Sequence, residues 1–163
     1  MVARAVHVEA RAASSALAVP HGPASVGLAR RRLRSDLGGR EIADTVIDDA
    51  VLILSELLSN SCRYARPLAG GGADSAEGDG EILVRWQMHS DGLLTLEVTD
   101  GGAATRPLPA SPSVTARGGR GLNIVGKLAR HWGVRHAPGR VTVWAELPAR
   151  GADRLDEPGA RSA

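Results

Sequence analysis

Between Asp44 and Pro67 the residues Ile47, Ala50, Val51, Leu54, Leu57, Leu58, Ser61 and Cys62 recur at three- and four-residue intervals, one continuous packing stripe on a long helix. Asp44 or Thr45 stands where an N-cap is needed, and Pro67 ends the pattern. A helix this apolar along one side must cover another layer of structure. Glu56 and Asn60 fall off the stripe, on a neighbouring face with Asp49 and Ile53, so one side of the helix can grip a sheet while the other meets a ligand. Being four residues apart, Glu56 and Asn60 are neighbours on that face, where a carboxylate can poise a water or hydroxyl and an amide oxygen can hold a hydrated metal ion.

The covered layer is legible further along. Ile82, Val84 and Trp86 alternate with polar residues, Ser90-Asp91-Gly92 reads as a turn, and Leu94, Leu96 and Val98 alternate again, so a hairpin runs straight into Asp100 at a strand end. Before the long helix, Val26, Ala29, Leu33 and Leu37 predict a helix from Pro23 to Leu37, stopped by Gly38-Gly39. After Asp100 comes a loop over 101–118, and Leu122, Val125, Leu128 and Ala129 predict a third helix directly after Gly119-Arg120-Gly121, ended by Trp132-Gly133. Val134 to Ala137 and Val141 to Leu147, around Pro138-Gly139, form a last hairpin. Val2, Val6 and Val8 in residues 1–20 alternate weakly, enough for an edge strand. The glycine-rich acidic stretch 66–80 is a spacer, and 149–163 is a polar tail expected to be disordered. One folded domain over 21–148 results, with a short segment before it and a tail after it.

Composition removes several function classes. The charge balance is only +2, and nineteen arginines against the single Lys127 reflect the residue usage of a GC-rich genome, not a basic footprint. With no Phe, one Tyr and three Trp, the chain has no aromatic platform amid basic residues for stacking nucleic-acid bases. The lone Cys62 excludes an internal disulfide or a zinc cluster and suits a reducing cytoplasm. No apolar run approaches the ~20 residues of a membrane span, and no signal-peptide core opens the chain. The expectation is a cytoplasmic protein with neither a nucleic-acid nor a membrane partner.

Three patterns carry chemistry, and each has an ordinary reading beside it. Glycines at a loop-to-helix junction admit phosphate oxygens to the free N–H groups of the helix start, with Arg117 and Arg120 flanking; alone, such a loop more often just turns the chain. Asp100 at its strand end can accept from the exocyclic amine of adenine, with Gly102 letting the base lie close; alone, Asp-Gly-Gly is a common turn. Glu56 and Asn60, taken singly, are an exposed polar face. Their order along the chain is what makes them informative together.

In that order, Ser55-Glu56-Leu57-Leu58-Ser59-Asn60-Ser61-Cys62-Arg63-Tyr64-Ala65, Val98-Thr99-Asp100-Gly101-Gly102 and Gly119-Arg120-Gly121-Leu122-Asn123-Ile124-Val125 resemble the N box and the two glycine boxes of the GHKL ATPases, with Gly139 to Leu147 similar to the closing strand. Within that family the likeness is to bacterial anti-sigma factors that double as serine kinases, and it covers roughly residues 20 to 148. The resemblance implies an α/β two-layer sandwich of the Bergerat ATP-binding type, a mixed sheet covered on one face by three main helices. It further implies ATP and Mg²⁺ as cofactors, Asn60 on the metal, Glu56 as general base and Asp100 with Gly102 at the adenine. Arg117, Gly119, Arg120, Gly121, Leu122 and Thr142 would complete the nucleotide contacts. The implied activity is that of a protein serine/threonine kinase acting on an antagonist protein, with a sigma factor as second partner and a homodimer as assembly. A non-catalytic ATP-binding partner switch and an ATP-hydrolysing switch are the alternatives. Two positions depart from the pattern: Tyr64 stands where close relatives carry His, and Ala104 where the first glycine box has Gly.

Remaining polar residues have simple roles. His7, His21, His89, His131 and His136 are scattered and fit surface or packing duties. Cys62 reads as a small buried hydrophobe. Lys127 is a solvated helix charge, with a phosphate contact held open, and the Arg30-Arg31-Arg32 run is a solvated face on which acidic regions of a sigma factor could dock.

Overall fold

The computed structural model describes residues 14–69, 80–102 and 119–150. They form β1 (Ser14–Pro20), α1 (Ala24–Gly38), α2 (Asp44–Tyr64), β2 (Glu81–Met88), β3 (Leu93–Asp100), α3 (Gly119–Leu128), β4 (His131–Ala137) and β5 (Arg140–Pro148). The strands make one sheet in the order β1-β2-β3-β5-β4, with the three helices on one face, so the expected two-layer architecture is present.

Every described strand pairing is antiparallel, which corrects the mixed sheet of the sequence reading. The reason lies in the last hairpin. The passage from β3 through α3 brings β4 back in the direction of β3, but β5 folds into the place between them, so the two like-directed strands are never neighbours.

Strand alternation sends Ile82, Val84, Trp86, Leu94, Leu96 and Val98 to the helix side, all at most 2% exposed. Register then stacks Val84, Val98 and Val143 in one row and Trp86, Leu96 and Ala145 in the next. From the other layer come Ala29, Leu33 and Leu37 of α1, Leu54 and Leu58 of α2 and Val125 of α3, none of them exposed. Ile53 is likewise fully buried, although the helical wheel set it beside Glu56. α2 is backed by β3 and flanked by both α1 and α3, so its buried arc is wider than a single stripe.

Several boundaries differ from the sequence reading. Ala43 holds the N-cap position of α2 and makes no side-chain cap; Asp44 lies inside the first turn, where its charge complements the helix dipole. α3 begins at Gly119 itself and ends at Leu128, and Trp132-Gly133 belongs to β4, where Gly133 leaves room for the Trp144 indole of the adjacent strand. The edge strand is Ser14–Pro20, with Pro20 tolerated at the end of an edge; the alternation at Val2, Val6 and Val8, the spacer core 70–79, Ala104 and the tail from residue 151 lie outside the described residues.

A polar contact ties α1 to the sheet. Asp36, near the end of α1, accepts from the Trp86 indole N–H at 2.7 Å and from the Ser15 hydroxyl at 3.4 Å, with Arg40 at 3.7 Å. Trp86 is 2% exposed, so its donor has no water to turn to. Asp36→Ala is therefore expected to cost about 1–3 kcal/mol in urea unfolding, and a loss below ~0.5 kcal/mol would show the contact to be incidental.

Candidate nucleotide site

At the end of β3 the alternation that buries Leu94, Leu96 and Val98 places Asp100 on the same helix-facing side, and its side chain is 2% exposed. A carboxylate at such depth is costly unless hydrogen bonded. Ser61 of α2 donates its hydroxyl to Oδ2 at 2.6 Å, and the Gly102 N–H donates to Oδ1 at 2.8 Å. A carboxylate offers about four lone-pair directions, so acceptor capacity is left for a ligand donor.

The turn after Asp100 is built around small residues. Gly102 has φ +90°, a conformation that favours glycine, and a Cβ on Gly101 would overlap the Pro67 carbonyl. The chain leaving α2 is what approaches so closely: Gly101 N–H donates to the Arg66 carbonyl at 2.7 Å and Arg66 N–H to the Gly102 carbonyl at 2.8 Å. Leu68 then bridges to Glu81, and the His21 ring lies 2.9 Å from the Ala65 carbonyl. The segment after the long helix thus holds the turn in place, and His21 serves the packing role its sequence context suggested.

Glu56 and Asn60 are half-buried on α2, Asn60 immediately beside Ser61. No described cation forms an ion pair with Glu56. Among the described residues there is no group of three His, Cys, Asp or Glu able to hold a metal ion. The carboxylate of Glu56 and the amide oxygen of Asn60 are donors of the kind Mg²⁺ takes, since it keeps several waters and is commonly held by one or two protein oxygens together with substrate phosphates.

α3 packs on α2, and its first turn is Gly119, Arg120, Gly121 and Leu122. The first four N–H groups of a helix have no partner within it, so these four residues present the anion-attracting end. Leu122 is 8% exposed and packs in the core, so its offer to a ligand is its backbone N–H. Arg117 lies outside the described residues. Lys127 sits in the last turn of α3, about 12 Å along the axis from Gly119; it suits the C-terminal dipole, and the phosphate contact held open for it is not supported.

Thr142 is not brought to Asp100. It pairs with Thr99 on the opposite face of the sheet, hydroxyl to hydroxyl at 2.8 Å, while Val141 is the β5 residue opposite Asp100 and a near neighbour of Gly102. Sequence reasoning missed Ser61 and Val141 as neighbours of the site. Counting strand parity back from the Pro138-Gly139 turn would have found Val141; a hydroxyl on an otherwise apolar stripe was the only signal for Ser61. Cys62 is half-buried, its thiol 3.3 Å from the Gly22 carbonyl; burial pushes the thiol up from its ordinary value and the Asp100 charge adds to this, so it stays a protonated thiol.

A depression of about 480 Å³ on the open face of the sheet, lined by residues including Arg85, Glu97, Arg135 and Trp144, lies across the sheet from Asp100 and is separate from this site.

Residues 19–147 match the family described as histidine kinase-like ATPase domain. The chain belongs to the histidine kinase-like ATPase family. The match spans every described element but the first residues of β1 and the last of β5. No curated protein sequence matches the chain. Among solved structures, this ATPase domain is similar to the RsbU and RsbW domains of Rv1364c from Mycobacterium tuberculosis, with a TM-score of 0.59 and 18% identity. That match covers 83% of this chain and 32% of the other, so the chain spans about a third of that structure, and the likeness is one of fold. A second similar structure is the histidine kinase domain of the blue-light activated kinase EL346 from Erythrobacter litoralis, with a TM-score of 0.47, 21% identity, and coverage of 84% and 64%. Among the described residues no helix is long and apolar enough to cross a membrane.

Proposed function

We propose that this histidine kinase-like ATPase domain binds ATP with Mg²⁺ and acts as a cytoplasmic anti-sigma-type regulator, transferring the γ-phosphoryl group to a serine of an antagonist protein and sequestering a sigma factor. The observation that carries the reading is the buried Asp100 carboxylate, held by Ser61 and Gly102 next to the helix that bears Glu56 and Asn60. Asp100 would accept from the adenine amine, Asn60 would hold the metal, and the first turn of α3 with Arg117 and Arg120 would receive the phosphates. Bound Mg²⁺ would supply charge neutralisation at the phosphates. Glu56 would take the proton from the serine hydroxyl as its oxygen bonds to the γ-phosphorus and the bond from that phosphorus to the β–γ bridging oxygen breaks, leaving ADP. The homodimer implied by the family resemblance belongs to the same proposal.

Calorimetric titration with ATP, with and without Mg²⁺, tests the site. Binding is expected to be at least about tenfold tighter with Mg²⁺, and Asn60→Ala is expected to abolish that difference while Mg²⁺-free affinity stays. A folded parent protein that binds no ATP would end the nucleotide reading. Binding with no phosphoryl transfer to any serine-bearing antagonist would leave a non-catalytic partner switch, and ADP production without an acceptor would point to a hydrolytic switch.

A further inference from the structure

Two serines of α2 behave differently. Ser55 does what a helical serine ordinarily does, donating its hydroxyl back to the Val51 carbonyl at 2.7 Å. Ser61 has the same option toward residue 57 but points its hydroxyl across to β3, donating to Oδ2 of Asp100 at 2.6 Å with both residues at most 4% exposed. The other oxygen, Oδ1, receives the Gly102 N–H from within its own turn. The carboxylate is therefore pinned at both oxygens, one from the helix and one from the turn, and the turn is held in place by its pairing with Arg66.

We infer that Ser61 is the positioning residue that sets base selectivity: its hydroxyl fixes the plane of the Asp100 carboxylate so that the lone pairs left over face the ligand, where they accept from the exocyclic amine of a 6-aminopurine and repel the carbonyl of a 6-oxopurine. The inference rests on the nucleotide reading above. Its physical content is that a carboxylate accepting two donors has only acceptor sites left, and a fixed acceptor discriminates donor from acceptor far better than one free to turn. Val141, opposite Asp100 on β5, adds an apolar neighbour that offers no competing polar group.

Loss of the Ser61 donor should therefore weaken only ligands that use the amine bond. Titrations of the full chain with ADP and with inosine diphosphate, which has a 6-oxo group in place of the amine, read this directly. The parent is expected to prefer ADP. Ser61→Ala is expected to reduce ADP affinity roughly tenfold, the scale of a hydrogen bond to a charged group, while inosine diphosphate affinity moves by less than about twofold, so that the preference collapses. Ser61→Cys, which keeps the volume but donates poorly, is expected to move the preference in the same direction and carries the test if the alanine variant does not fold. Equal weakening of both nucleotides, or no change in either, by a variant with a cooperative thermal transition would overturn the role of Ser61 and leave nucleotide binding standing. A folded parent that binds neither nucleotide would overturn the nucleotide reading and this inference with it.

Discussion

Glu56→Gln is expected to slow phosphoryl transfer to a serine acceptor by about a hundred- to ten-thousand-fold, the range that a positioned general base contributes, with ATP affinity changed by less than about twofold. The substitution keeps side-chain length and hydrogen-bonding shape but removes the ability to take a proton. Glu56 is half-buried and has no ion-pair partner among the described residues, so replacing it should shift stability by less than ~0.5 kcal/mol. Single-turnover measurement with labelled ATP and an antagonist protein separates the steps. A rate equal to that of the parent would remove Glu56 from the chemistry, and a matched loss of affinity and rate would make it a binding residue.

The second large effect is expected at Asp100. Asp100→Ala should weaken ADP binding by about a hundredfold or more and lower stability by about 1–3 kcal/mol, because the Ser61 hydroxyl and Gly102 N–H lose a buried acceptor. Removing a buried charge recovers part of its desolvation cost, which keeps the stability loss at the moderate end of what breaking a buried polar pair can do. Asp100→Asn separates the two effects. It preserves volume and one acceptor, so most of the stability should return, but it turns a donor toward one of the donors the carboxylate received, and ADP affinity should stay low. Urea unfolding beside calorimetry reads both quantities. Unchanged ADP affinity in either variant would show that the base lies elsewhere.

The fold was legible where periodicity was strong. The stripe on α2 and the alternation in β2 and β3 identify buried residues one by one, because amphipathic patterning is imposed by the same two layers that later pack together. Legibility fell where the signal is a matter of neighbours. Ile53 looked lateral because a wheel shows one helix at a time, and it is buried because a second helix covers that side. Trp132-Gly133 looked like a helix end because a glycine after an apolar residue is ambiguous, whereas the strand is fixed by its pairing with β5. Thr142 was expected at the nucleotide, and strand parity turns it to the far face beside Thr99.

By itself, then, the sequence determined the elements and the order of Glu56, Asn60, Asp100 and the glycine turns, because helix and strand periods and glycine positions are local properties of the chain. Only the tertiary structure decided that Ser61 meets Asp100 across 39 residues, that Arg66 pairs with Gly101 and Gly102, and that Val141 rather than Thr142 stands opposite the carboxylate. The first two are long-range contacts set by how closely one helix and the chain leaving it rest on β3, which no local pattern encodes, and the third needs the β3–β5 register as well as local strand parity.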